Sequence, residues 1–186
     1  MKLSTPRVLP LENSEWNESQ KELMERSSAG REPTNIFKTL VRHEKLLKRW
    51  LTFASYILGK STLPGREREI VILRIGWLCQ AEYEWAQHVV IGKRVGLTDE
   101  EIERITQGPD AAGWSAIDKA LLLATDELHD EAFITDNTWA ALKAGFSEEQ
   151  MLDLVFTIGN YNLVSMALNT LGVQLDPGLK GFAPQD

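Results

Sequence analysis

Apolar side chains recur every three or four positions along most of this chain, a rhythm that predicts helices rather than strands. Between residues 35 and 58 the apolar set runs Ile36, Leu40, Val41, Leu47, Leu51, Ala54 and Leu58 with charges between, an amphipathic helical stretch broken near His43. Residues 66–78 are unusually apolar (Ile70, Val71, Ile72, Leu73, Ile75, Trp77 and Leu78), so this helix is expected to be buried on more than one side. A further helix is predicted over 81–95, closed by Gly96 in the position where a left-handed residue ends a helix at low cost. Thr98-Asp99-Glu100-Glu101 and Ser147-Glu148-Glu149-Gln150 read as capping boxes that open two more helices, the second reaching Leu171. Residues 115–129 and 137–144 complete the set, and no segment alternates with a period of two for long enough to make a strand. The expected fold class is all-α.

The ends differ from the middle. Residues 1–33 carry Pro6, Pro10, Gly30 and Pro33, which predicts an irregular arm around the outside with one short helix over 16–26. Residues 34–175 are read as a single helical domain and 176–186 as a C-terminal tail. Within the domain, Gly96-Leu97-Thr98-Asp99-Glu100 and Gly145-Phe146-Ser147-Glu148-Glu149 match at an offset of 49 (145 − 96). At the same offset Glu69 falls on Asp118, Ile72 on Leu121 and Leu73 on Leu122, so a helical hairpin is duplicated. Two copies can bury their apolar faces against each other, whereas one alone would leave its face wet.

Composition narrows the function classes. With 186 residues, 43% of them hydrophobic, the chain can bury a single core. Its net charge of −7 opposes binding to phosphate backbones or anionic lipid, so neither nucleic acid nor membrane is expected as a partner. Cys79 stands alone and cannot form an internal disulfide, and residues 1–11 lack the apolar run of a secretory signal, which makes the cytoplasm the expected location. Residues 154–173 are uncharged and long enough to cross a bilayer, but Asn160, Asn162 and Asn169 would be costly in hydrocarbon, so a buried central helix is expected instead.

The candidate chemistry lies in Cys79-Gln80-Ala81-Glu82-Tyr83-Glu84-Trp85-Ala86-Gln87-His88 and in the helix before it, which holds Glu67 and Glu69. The run Arg66-Glu67-Arg68-Glu69-Ile70-Val71-Ile72-Leu73, then Glu82 to His88, then Gly92 and Gly96-Leu97-Thr98, resembles the core of the carboxymuconolactone decarboxylase family in the alkylhydroperoxidase-D-like superfamily. Weaker similarity extends to Asn35-Ile36-Phe37 and Tyr161-Asn162-Leu163-Val164-Ser165-Met166. The resemblance implies a helical bundle and homo-oligomers, commonly trimers or hexamers and in some cases dimers. In the peroxidase branch it further implies a helix glutamate, a Cys-x-x-Cys pair and a histidine four residues later. Glu69 and His88 match the glutamate and the histidine, but Ala81 and Glu84 stand where the cysteines belong. Thiol peroxidase chemistry needs one thiolate to attack and a second to resolve, and neither a methyl nor a carboxylate does either.

What remains is an acid–base site. Glu84 and His88, four apart, share one helix face, where the alternative to an acid–base pair is a salt bridge on a solvated surface, and Glu69 can add a second carboxylate if the helices cross as in the family. Burial and mutual charge are expected to bring their pKa values toward neutrality. Tyr83 and Trp85 are candidate walls of an apolar pocket, with core packing the alternative, and Arg68 and Arg74 are candidates to hold a substrate carboxylate. Arg74 interrupts an apolar helix and needs a partner, which a fixed carboxylate or a substrate could supply. Asp126 and His129, with Glu127 and Glu131 near, give one carboxylate-x-x-histidine pair where a di-iron bundle wants two, so no metal is expected, and no cofactor signature is present.

The leading expectation is a cofactor-independent decarboxylase or isomerase, a lyase-type enzyme acting on a small carboxylated ring or lactone such as arises in aromatic catabolism. The alternatives are the superfamily's peroxidase (peroxiredoxin-type) activity and a non-catalytic, oligomeric small-molecule-binding protein.

Overall fold

The computed structural model describes residues 1–28 and 31–182, so Gly30 of the predicted arm and the last four residues of the predicted tail lie outside the described residues. The described residues form helices joined by short turns, with no strand among them. In chain order these are α1 (Glu18–Ser28), α2 (Asn35–Leu40), α3 (Glu44–Gly59), α4 (Gly65–Leu78), α5 (Glu82–Arg94), α6 (Asp99–Gln107), α7 (Ala116–Glu131), α8 (Asp136–Lys143) and α9 (Glu148–Leu171). A short 3₁₀ turn, Val41–His43, separates α2 from α3 at the predicted break.

The caps form as the sequence implies. Thr98 and Ser147 accept from the backbone N–H of Glu101 and Gln150, and those two side chains return the bond to the cap backbone. The hairpin α4–α5 with α6 recurs as α7–α8 with α9, which is the duplication read from the offset of 49. Helix α4 is the centre of the molecule, with Glu69 to Gly76 all buried, and α5, α6, α7 and α9 pack around it. Burying apolar area at about 25 cal/mol per Å² makes this core the main stabilising element. Among the described residues one helix, α9, is long and apolar enough to cross a membrane, but 56% of its most apolar window is buried inside the fold.

The ends are tied down. Arg7 and Val8 donate their N–H groups to the Leu171 carbonyl, Leu11 donates to Lys38, and Met24, Val41 and Leu47 form a separate small core with Trp16 against it. Residues 176–182, expected as a tail, hold the domain together: Asp176 accepts from the Asn35 backbone and from Tyr83, and Phe182 packs edge-on against Trp77.

Candidate active site

The site starts from a three-residue reversal. At the end of α4 the Cys79 N–H bonds the Ile75 carbonyl, Gln80 adopts a left-handed φ of 52°, and Ala81 N–H closes the turn on the Gly76 carbonyl at 2.8 Å. The turn lays α5 alongside α4. The two helices are in ordinary van der Waals contact here: a Cβ on Gly76 would lie 3.8 Å from Glu84 Cβ, and one on Gly92 would lie 3.8 Å from Glu69 Cβ while crowding Leu97 Cδ1 at 3.0 Å.

This approach brings Glu69, Glu84 and His88 together. His88 Nδ1 lies 2.6 Å from Glu69 Oε2, and His88 Nε2 lies 3.0 Å from Glu84 Oε1. All three are buried, Glu69 completely, and the Arg68 Nε–H donates to the other Glu69 oxygen at 3.2 Å. Tyr161 of α9 stands edge-on to the imidazole with ring centres 4.9 Å apart. A neutral imidazole has one N–H and would leave one nitrogen's lone pair facing a carboxylate oxygen, whereas the imidazolium presents an N–H at both positions. Burial by itself would lower the His88 pKa, but the charges of Glu69 and Glu84 outweigh it and push the value up to about 10. The expectation of values near neutrality is therefore corrected for His88, which sits between two carboxylates rather than beside one.

The folded value lies above the ordinary 6.5, so the stability contributed by this group is fully present below about pH 6.5 and is lost as pH rises through about 10. We expect the His88 ring signals in an NMR titration to stay unchanged between about pH 5 and 8, where an unperturbed histidine changes charge. A midpoint near 6.5 would show that the two carboxylates do not act on the ring together.

Glu84 and His88 form part of the floor of a cleft of about 880 Å³, within the range of roughly 300–1,000 Å³ for small-molecule sites. Its walls include Phe37, Trp50, Tyr83, Ile91, Tyr161 and Val164, from α2, α3, α5 and α9. Trp50 is held by its indole N–H donating to Asn160 Oδ1 at 3.2 Å. Tyr83 borders the cleft while being buried itself, its hydroxyl donating to Asp176 at 2.6 Å and accepting from the Ile36 N–H. Burial, then the Asp176 carboxylate, raises the Tyr83 pKa, so it stays a neutral phenol.

Three other candidates are placed elsewhere. Trp85 turns into the core against Trp77 and Phe182, because the α5 face it occupies is the one packed on α4, so it is a core residue and not a pocket wall. Arg74 spends its fork on Asp126, at 2.6 and 2.8 Å, and on the carbonyls of Ile105 and Thr106, which leaves it no role in holding a substrate. Arg68 bonds Glu69 behind the imidazole and is absent from the cleft lining, so it acts on the site only through Glu69.

The weaker candidates are also engaged structurally. Asp126 is bound by Arg74, Glu127 caps α8 by accepting from Thr135 and Thr138, and His129 lies 3.8 Å from the Cys79 sulfur. Cys79 donates to Asn162 at 3.1 Å, burial raises its pKa, and it does not line the cleft. Gln87 lies inside the candidate stretch and Tyr161 inside the weaker family-like run, but neither the stretch nor the run marks them as bordering the site, and nothing in the spacing of α3 marks Trp50 as facing the same space.

Comparison with known proteins agrees with this architecture. Residues 44–126, which span both arms of the α4–α5 hairpin and most of α7, match the Carboxymuconolactone decarboxylase family. No curated protein matches the sequence. Among solved structures, an alkylhydroperoxidase AhpD core, an uncharacterized peroxidase-related protein from Ralstonia eutropha JMP134, superposes with a TM-score of 0.80 at 16% identity, over 92% of this chain and 93% of that one. An uncharacterized peroxidase-related protein from Silicibacter sp. TM1040 gives 0.74 at 17% identity, over 95% and 92%. The debrominase Bmp8, solved in complex with 2,3,4-tribromopyrrole, gives 0.72 at 14% identity, over 94% of each chain. At these identities the likeness shows the fold alone. Residues 44–126 of this chain thus match the carboxymuconolactone decarboxylase family model, and the described residues share the all-α fold of an alkylhydroperoxidase AhpD core.

Proposed function

We propose that the chain is a cofactor-independent proton-transfer enzyme, a decarboxylase or isomerase of a small carboxylated ring or lactone compound. The observation that carries the reading is the unbroken line Glu69–His88–Glu84, at 2.6 and 3.0 Å, ending in an aromatic-walled cleft. Glu69 anchors the imidazole, His88 holds the proton, and Glu84 presents it to the ligand. In loss of carbon dioxide from an unsaturated lactone acid, the electron pair of the breaking carbon–carbon bond moves through the double bond to a remote carbon. That carbon takes a proton from the His88–Glu84 pair, which is recharged from water. In an isomerisation Glu84 removes a proton at one carbon and returns it at another, with the imidazolium offsetting the charge that develops.

Neither position that would need a thiol in the peroxidase reaction has one, since Ala81 is a buried cap residue and Glu84 is a carboxylate, so thiol-dependent hydroperoxide reduction is not supported. The deciding experiment is incubation of the wild-type protein with unsaturated lactone acids in heavy water, following carbon dioxide release and deuterium in the product. Solvent deuterium at a single carbon is expected. Binding of these acids without turnover or exchange would reduce the protein to a binding module.

We also propose that the chain assembles with copies of itself through α9. Leu152, Phe156, Leu163 and Met166 are each more than half exposed and follow one another at steps of four, seven and three, and Phe156 packs edge-on against the exposed Phe53 of α3. Phe156→Glu is expected to lower the molecular mass measured by light scattering to that of a smaller species. An unchanged mass would place the interface elsewhere.

A further inference from the structure

The chain as a whole is acidic, yet the cleft is not. Besides Glu84 and His88, which neutralise each other, its charged lining consists of Arg26, Arg31, Glu32, Lys48 and Arg94. Glu32 is held by Lys38 at 2.6 Å, whereas among the described residues none of the four cations makes a side-chain ion pair or hydrogen bond. A positive mouth on a molecule of charge −7 inverts the local sign, and such a mouth draws in anions against the overall field.

Arg94 is distinguished from the other three by its support. It lies on α5, the rigid helix that also carries Glu84, Gln87, His88 and Ile91, and it shares their face by the three- and four-residue steps of a helix. At 1.5 Å per residue Arg94 is about 9 Å along the axis from His88 and about 15 Å from Glu84. A cation in the last turn of a helix can serve the helix dipole, but the neighbouring Lys93 is there too, paired with Asp99 at 2.5 Å, and Arg94 faces the cleft instead. The volume points the same way, because a single-ring acid resting on Glu84 would leave most of a cleft of about 880 Å³ unfilled and would not reach Arg94.

We infer that Arg94 is a specificity-determining residue that binds the anionic end of an elongated ligand, whose apolar body of more than one ring lies along α5 and whose reacting end rests on Glu84. The inference rests on the proton-transfer reading for which end reacts and extends its substrate from a small single-ring compound to a longer acid carrying the reacting ring at one end, while the anion contact can be measured without turnover. A guanidinium suits a carboxylate because its parallel N–H groups match the two oxygens. The contact is exposed to solvent on one side, so salt weakens it.

The test is binding of biphenyl-4-carboxylate, followed by quenching of tryptophan fluorescence and by calorimetry, against biphenyl-4-carboxamide and benzoate. The wild-type protein is expected to bind the biphenyl acid about tenfold or more tightly than the amide or the one-ring acid, equivalent to about 1.4 kcal/mol or more. Arg94→Gln should remove the preference for the acid and leave amide affinity unchanged, and Arg94→Lys should restore part of it. Equal affinity for acid and amide in the wild type, or an acid preference that persists in Arg94→Gln, overturns the assignment even if turnover is found. Absence of turnover with every lactone acid, with the acid preference intact and dependent on Arg94, overturns the enzymatic reading and leaves the anion contact standing.

Discussion

Glu84→Gln is expected to lower turnover by about 10²–10⁴-fold, the usual contribution of a positioned acid–base group. Glutamine has the shape of glutamate and can still face His88 Nε2, so the fold should survive, but it can neither hold nor release the proton. Circular dichroism and the melting temperature serve as controls, and kcat is the readout. Glu69→Gln should cost less than Glu84→Gln, because Glu69 touches His88 and Arg68 but does not line the cleft. It should also bring the His88 titration down from about 10, since Glu69 supplies the largest upward push. If Glu84→Gln turns over at the wild-type rate, Glu84 is not the proton donor and the relay has been assigned the wrong end.

Arg74→Met is expected to leave kcat unchanged and to destabilise the fold by about 3 kcal/mol, the lower end of the range for removing one partner of a buried ion pair. Arg74 is 7% exposed and binds Asp126 through two bonds and α6 through two carbonyls, so its loss strands one carboxylate and two backbone acceptors at once. The lower end applies because the Asp126 side chain is 23% exposed and water can reach it. For a chain of this size the change corresponds to a fall in melting temperature of roughly 6–12 °C. A large loss of activity in a protein that melts normally would return Arg74 to the list of substrate-binding residues.

The two predictions separate residues that look alike in sequence. Arg68 and Arg74 are both arginines on α4, six positions apart, yet one stands behind the imidazole and the other ties α4 to α6 and α7. Tyr83 and Trp85 flank Glu84 on the same helix, but 100° per residue turns one toward the cleft and the other into the core. Local spacing settles which residues share a helix face. It is silent on which neighbouring helix that face meets.

By itself the sequence determined the elements, because helix period, capping boxes and terminal glycines are local properties that each segment carries alone. It also determined the duplication, and the pairing of Glu84 with His88, since both reside on one turn of one helix. Only the tertiary structure decided that Glu69 reaches the far side of the imidazole, that two carboxylates rather than one act on it, and that Tyr161, Trp50 and Arg94 border the same space. These contacts join α2, α3, α5 and α9 across long stretches of chain, and their distances depend on how helices pack, a quantity that no single segment encodes.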